Sequence, residues 1–309
     1  MRLYGGLFPF LVVALLLASC ATSPKMSQAV DGGAPDFSVL PLGADIYLCA
    51  DIALAKPLLD VLTFEGMSGR DAQPILERTD AAAAAFFSGN PSRRFFLAGW
   101  GDYPNLKAGF SMSFSRDWKR VKSDTGNRYW YSRSNKVGIA LGPSLAYASD
   151  GDPFAPGAGM DISPPGFLDF RLPCVLSGWI VEPNEQINRL MDNMGIPLQI
   201  PAEDFFFGII RAPDDGAFPG RELWALNFKI RTPSANQARS LVSLFSLARL
   251  FMPRGEIPLD AETMSPQEAA TLLFANAPVQ DGAFLSIRTG VLDSRGIALL
   301  FDLFSVYSD

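Results

Sequence analysis

Histidine is missing from all 309 residues of this chain. Its absence excludes Ser-His-Asp and Cys-His catalysis, imidazole ligation of zinc and any pH switch built on an imidazole. Cysteine is scarce as well: Cys20, Cys49 and Cys174 are too few and too scattered for a cysteine-rich metal centre. Gly-Lys never occurs, so there is no phosphate loop, and Gly99-x-Gly101 meets Pro104 where a dinucleotide fingerprint needs its third glycine. No Gly-x-Ser-x-Gly elbow is present, and no serine stands three residues before a lysine, which removes the hydrolases built on those nucleophiles. Asp150-x-Asp152 has no third acidic ligand at loop spacing and reads as a turn rather than a calcium site.

What is present is an acidic, apolar chain. Lys and Arg number 26 against 32 Asp and Glu, a net charge of −6, and 48% of the residues are hydrophobic, 24 of them Phe. Such a chain can bury a sizeable core and has no general attraction for nucleic acid. At the N-terminus Arg2 precedes an apolar stretch from Leu7 to Leu17, followed by the small pair Ala18-Ser19. This is the layout of a secretory signal peptide, and the apolar stretch is shorter than the roughly 20 residues of a membrane span.

Leu17-Ala18-Ser19-Cys20 resembles the lipobox of bacterial lipoprotein precursors. The resemblance implies that residues 1–19 are removed and that Cys20 carries a thioether-linked diacylglycerol and an N-acyl chain such as palmitate. No other cofactor is expected. It also implies a lipid-anchored cell-envelope protein. Ala21, rather than Asp, follows the cysteine, which in that family favours the outer membrane, facing the periplasm. Each buried methylene contributes about 0.8 kcal/mol, and two or more chains anchor stably where one does not. In an oxidising compartment Cys49 and Cys174 can pair, although both sit in apolar, strand-like sequence where an unpaired thiol is equally ordinary.

Residues 20–36 comprise the lipidated cysteine and a small, polar, Gly- and Pro-containing tether. The rest predicts an α+β fold of two tandem related β-α-β-β-α-β(β) halves, residues 37–150 and 167–309, with mainly antiparallel sheets and packed helices. Between them, residues 151–166 form a Pro/Gly-rich linker, which can continue neither a helix nor a central strand. In the first half, Asp45–Ala50 reads as a strand and Leu54, Leu58, Leu59 and Leu62 as a helix. A hairpin of Arg94–Trp100 with Ala108–Ser115 is expected next, then a short basic helix over Asp117–Lys122 and strands at Tyr129–Ser132, Val137–Leu141 and Leu145–Ser149. In the second half, Val175–Val181 reads as a strand, and Pro183-Asn184 opens a helix through Ile187, Leu190, Met191 and Met194. A hairpin of Asp204–Ile210 with Leu223–Ile230 follows. Helices at Ser234–Met252 and Pro266–Ala275 precede a strand at Ala283–Arg288, and Ile297–Tyr307 fits helix and strand equally. The opening of the first half, Leu40-Pro41, Ala44-Asp45-Ile46-Tyr47 and Asp51, resembles a loose group of duplicated envelope proteins, several from spirochaetes; this resemblance implies no activity.

One segment departs from the acidic average. Residues 116–136 hold seven basic side chains against two acidic, a local charge of +5. Arg116, Trp118, Lys119, Arg120, Lys122, Arg128, Trp130 and Arg133 are the candidate surface there. Cations pair phosphates and amphipathic rings sit at interfaces, so the partner expected is an anionic lipid, a glycan or another envelope protein. A solvated face with an edge strand guarded by charge accounts for the same residues. A second candidate is apolar. Leu241, Val242, Leu244, Phe245, Leu247, Ala248, Leu250 and Phe251 cover more of the helix than an amphipathic face needs and, with Phe205-Phe206-Phe207, could wall a lipid cavity; core packing explains the same residues and is the stronger reading, since a buried helix between two sheets looks identical. Carboxylates are the remaining catalytic resource, but Glu77, Glu203 and Glu262 read as solvated charges. The sequence thus predicts a non-enzymatic envelope binding or assembly component. A periplasmic hydrophobic-ligand carrier and a carboxylate-based cell-wall glycan hydrolase are the alternatives.

Overall fold

The computed structural model describes residues 39–59, 77–87, 94–154, 167–171, 173–184, 188, 199–212, 222–251 and 263–306. The signal peptide, Cys20, the tether and most of the linker therefore lie outside the described residues, as does most of the helix read after Pro183. The described residues divide into two compact units. One holds 39–56 and 77–154; the other holds 57–59 and everything from Phe167 onward.

The first unit begins with β1 (Ile46–Asp51) and α1 (Ile52–Leu59), which runs on into the residues of the other unit. Next come β2 (Thr79–Phe86), β3 (Phe95–Gly101), α2 (Asn105–Phe114), β4 (Trp118–Lys122), β5 (Arg128–Ser132), β6 (Val137–Leu141) and β7 (Leu145–Ser149). The strands lie in the order β1-β2-β3-β7-β6-β5-β4, each pair antiparallel. β4 to β7 form a meander, and β7 returns to pair with β3. One sheet face carries Phe95, Leu97, Ala146, Ala148, Val137, Ile139 and Trp118, over which α2 lays Ala108 and Met112 to close the core. Alternating apolar residues put this set on one side because successive strand side chains point to opposite faces.

Two segments depart from the sequence expectation here. Ala108–Ser115 belongs to a helix, not to the second strand of a hairpin, and the true partner of β3 is β2. In Phe110, Met112 and Phe114 an alternation mimics a strand, yet the residues that pack inward are Ala108 and Met112, four apart, which is helical spacing. Asp117–Lys122 is a strand rather than a basic helix: Trp118 is buried on the sheet and β5 supplies the pairing that overrides the helix preference of Lys and Arg.

The second unit contains α3 (Phe167–Arg171), β8 (Cys174–Val181), β9 (Asp204–Arg211), β10 (Leu223–Arg231), α4 (Ala235–Phe251), α5 (Pro266–Leu273), β11 (Val279–Asp281), β12 (Phe284–Arg288), β13 (Leu292–Asp293) and α6 (Ser294–Val306). Its strands run β8-β9-β10-β12-β11, with β13 also on β10, all antiparallel. α3 seats Phe167 and Phe170 against Phe206, and Phe167 against Trp179. A second core joins Leu241 and Phe245 of α4 to Phe274, Ile230, Leu285 and Ile287. α5 opens with a capping box: the Glu268 amide donates to Ser265 Oγ at 3.3 Å and the Ser265 amide to Glu268 Oε2 at 2.7 Å, holding the Glu268 carboxyl below its ordinary range. The ambiguous stretch from Ile297 is helix α6, with Ile297 and Leu300 buried three apart.

Both units are mostly antiparallel sheets with helices packed on them, an α+β fold. Neither Cys49, buried in β1, nor Cys174, half-buried in β8, is in a disulfide. The Cys174 thiol donates to the Phe170 carbonyl at 3.2 Å, and burial pushes its pKa up to about 12.

Candidate functional site: a basic, aromatic ribbon at the end of the first sheet

β4 is the last strand of its sheet, and β4 and β5 form a two-stranded ribbon. Its turn, Ser123 to Asn127, is closed by Ser123 N donating to Asn127 O at 2.8 Å and Gly126 N to Ser123 O at 2.9 Å. Gly126 adopts φ +87°, a conformation natural to glycine. At the base, Asp117 accepts from Ser132 Oγ and from Ser134 N, the latter at 2.8 Å. Burial raises the Asp117 pKa, but these hydrogen bonds outweigh it and hold the carboxyl below its ordinary range.

The register sets Trp118 opposite Ser132, Lys119 opposite Tyr131, Arg120 opposite Trp130, Val121 opposite Tyr129 and Lys122 opposite Arg128. Arg120, Lys122, Arg128, Trp130 and Trp118 therefore share one face, the one on which α2 packs. Lys119, Tyr131 and Tyr129 share the other, where Lys119 Nζ lies 5.3 Å from the centre of the Tyr131 ring. Arg116, Lys119, Arg120, Lys122, Arg128 and Arg133 are exposed, Trp130 is half-buried and Trp118 is buried in the core. The candidate surface thus keeps its cations but loses Trp118 to the fold. Arg133 lies beyond β5, where its amide donates to the Asp117 carbonyl at 3.2 Å. No ion pair joins Arg120, Lys122 or Arg128 to a carboxylate among the described residues.

Next to this face α2 exposes two phenyl rings missed in the sequence reading, Phe110 (68%) and Phe114 (74%), with centroids 4.6 Å apart. They are the outward i, i+4 pair of a helix whose inward pair is Ala108 and Met112. A Cβ placed on the neighbouring Gly109 would lie 3.9 Å from the Trp130 indole, which fixes the helix beside the ribbon.

Asp124 is exposed in the ribbon's turn, whereas Asp150 and Asp152 have structural work. Asp152 accepts from Ser123 Oγ at 2.5 Å and from Phe154 N at 2.8 Å; Asp150 accepts from Arg94 N at 2.7 Å. Among the described residues no group of three or more His, Cys, Asp and Glu could hold a metal, and no helix is long and apolar enough to cross a membrane. Glu203 pairs with Arg231; Glu262 lies outside the described residues.

The second candidate divides. On α4, Leu241 and Phe245 are core, whereas Leu244, Leu247, Leu250 and Phe251 are exposed. Phe206 is buried, while Phe205, Phe207 and Phe228 form a half-buried row on one face of β9 and β10, with Phe205 5.7 Å from Phe228 and 6.2 Å from Phe207.

No family model matches the chain. It is 33% identical over 101 residues to a protein described as outer membrane protein TP0453 of the spirochaete Treponema pallidum (strain Nichols), a match covering 33% of this chain and 34% of that one. The match therefore spans about a third of the relative's length. Two crystal forms of TP0453 resemble the whole fold: form III with a TM-score of 0.53 and 16% identity over 88% of this chain, and form IV with 0.53 and 18% over 92%, each over 100% of the solved chain. At that identity the likeness speaks for the fold.

Proposed function

We propose that this chain is a lipid-anchored, non-enzymatic component of the bacterial cell envelope, held by acylated Cys20 at the outer membrane and binding anionic lipid or glycan surfaces through the β4–β5 ribbon. The observation that carries the binding reading is the exposed basic face of Arg120, Lys122 and Arg128, without an ion pair among the described residues, beside Trp130 and below a helix that exposes Phe110 and Phe114. Cations supply attraction to anionic headgroups, and exposed rings supply the apolar contact that an interface rewards. Similarity to a protein named for the outer membrane supports the envelope location. In both units three antiparallel strands are followed by a helix, and a later strand returns to the third, β7 onto β3 after three further strands and β12 onto β10 after a second helix and β11, which supports tandem related halves.

Two measurements test this reading. Cys20→Ala should abolish incorporation of a fatty-acid probe; mature wild-type protein that stays unlabelled would end the lipoprotein part. The chain from residue 20 with Cys20→Ser should sediment with vesicles containing phosphatidylglycerol, should ignore pure phosphatidylcholine, and should be released as salt shortens the Debye length below its physiological value of about 8 Å.

A further inference from the structure

Resting on that reading of the ribbon, we infer that Arg120, Lys122 and Arg128 form a site for a dianionic phosphomonoester headgroup, with Trp130, Phe110 and Phe114 receiving its apolar remainder.

Lys122 and Arg128 stand directly opposite one another, so their Cβ atoms are about 4.5–5.5 Å apart, an arrangement that is repulsive between like charges. Arg120 is two residues along on the same face. Protection of an exposed sheet edge explains cations on β4, the terminal strand. Arg128 lies on β5 outside its pairing with β6, which covers Trp130 to Ser132, so the edge is open there as well; but guarding an edge does not require two cations set directly opposite each other, as Lys122 and Arg128 are. Three cations gathered where two already repel are best compensated by one ligand that brings concentrated negative charge.

A phosphodiester carries one charge and disperses over a membrane; a phosphomonoester carries about −1.5 to −2 at neutral pH and presents three terminal oxygens. Two guanidinium forks and an ammonium match those oxygens, and Arg contacts to phosphate are commonly bidentate. Trp130 shares that sheet face, two residues from Arg128 on its strand and opposite Arg120, and the helix packed on this face, α2, exposes Phe110 and Phe114 on its outer side. A free phosphate ion would leave those rings without a role, so the occupant is a lipid headgroup.

The test uses the chain from residue 20 with Cys20→Ser and vesicles of phosphatidylcholine containing phosphatidic acid or phosphatidylglycerol, matched in zeta potential. Binding to phosphatidic acid should be at least about tenfold tighter, because the dianion engages all three side chains at once. Arg120→Gln, Lys122→Gln and Arg128→Gln together should erase the preference, while Lys119→Gln with Arg133→Gln should keep it. Arg120→Lys with Arg128→Lys preserves the charge but removes the forks, and should lower the preference without lowering binding to phosphatidylglycerol. All these positions are exposed, and circular dichroism verifies folding. Equal binding to both vesicle types, or a preference that survives the triple change, overturns the phosphomonoester site and leaves the general anionic-surface reading standing. Failure to bind either vesicle overturns both. Glycerol phosphate competing as well as phosphatidic acid, read by tryptophan fluorescence, overturns the lipid source.

Discussion

The indole of Trp179 donates to Asp204 Oδ1 at 2.8 Å, and the other oxygen of that carboxylate is taken by Arg231, whose Nη2 lies 2.5 Å away. Asp204 is 4% exposed, and its carboxylate accepts from two donors, one on β8 and one on β10. Removing the carboxylate takes this acceptor from the buried indole, while Arg231, a third exposed, keeps its pair with Glu203. Asp204→Ala should therefore cost about 1–3 kcal/mol in urea denaturation. Asp204→Asn, which retains an acceptor for Trp179, should cost less. Equal losses for the two would show that the indole contact contributes nothing.

Gly208 is predicted to tolerate no side chain unless its neighbour shrinks. A Cβ there would meet Cys174 Sγ at 2.5 Å, with Cys174 Cβ and the Leu176 carbonyl each at 3.2 Å. Gly208→Ala should destabilise by about 1–3 kcal/mol, as overpacking does. Adding Cys174→Ala removes the closest atom and should recover part of that loss. Strict additivity of the two changes would mean that the clash is relieved elsewhere.

Stability should respond to pH only outside the neutral range. With no histidine, no side chain of ordinary pKa titrates between about pH 6 and 8, and the melting temperature should be flat there. Burial pushes Tyr103 from 10.0 up to about 12, despite its hydrogen bond to Thr79, and Cys174 from 9.0 to about 12. The folded state keeps protons that the unfolded chain releases, so stability is full below about pH 9 and is lost as pH rises toward 12. Cys174→Ala and Tyr103→Phe should flatten this alkaline slope. Some slope will remain, because burial also raises Tyr47, Tyr129 and Tyr147. An unchanged slope in the double variant would refute the assignment.

Helix α4 separates core from surface within one apolar stretch. Leu241→Ala should cost about 2–5 kcal/mol and Phe245→Ala about 3–5 kcal/mol, since both are buried. Leu247→Ser and Leu250→Ser, at 52% and 70% exposure, should stay within about 0.5 kcal/mol. Large losses at the exposed pair would mean that this ridge is covered in solution.

Lys122→Glu should stabilise the isolated protein, because it turns a repulsive cross-strand pair with Arg128 into an attractive one worth about 0.2–1 kcal/mol. The same change should weaken vesicle binding. A loss of stability would indicate that the two cations do not repel in the folded ribbon.

Much of the fold was legible where strands alternate. Val137–Leu141, Leu145–Ser149 and the three long strands of the second unit were read from their apolar pattern and turn residues, and Ser265-Pro266-Gln267-Glu268 announces its helix by chemistry alone. β2 was not read because its core is five consecutive alanines, Ala81–Ala85, the best helix formers, with no alternation of polarity. They are strand residues only because β1 and β3 pair with them on both sides, which no local signal reveals. Of the candidate site, the basic residues were legible from composition. Their sharing of a face was not, since the opposition of Lys122 and Arg128 depends on the register set by the turn at Gly126. Phe110 and Phe114 are hidden in the sequence because, with Met112 between them, their alternation has the period of a strand.

The turn of the β4–β5 ribbon lies beyond the part of the sheet that α2 covers, and Lys122, Asp124, Thr125, Gly126, Asn127 and Arg128 are all exposed. Apart from Gly126, whose φ of +87° shapes the turn, substitutions at these exposed positions touch little that the rest of the molecule needs in order to fold. Recognition and folding are thereby uncoupled, so descendants of this chain can drift in what they bind, one ribbon-tip residue at a time, while inheriting the same scaffold.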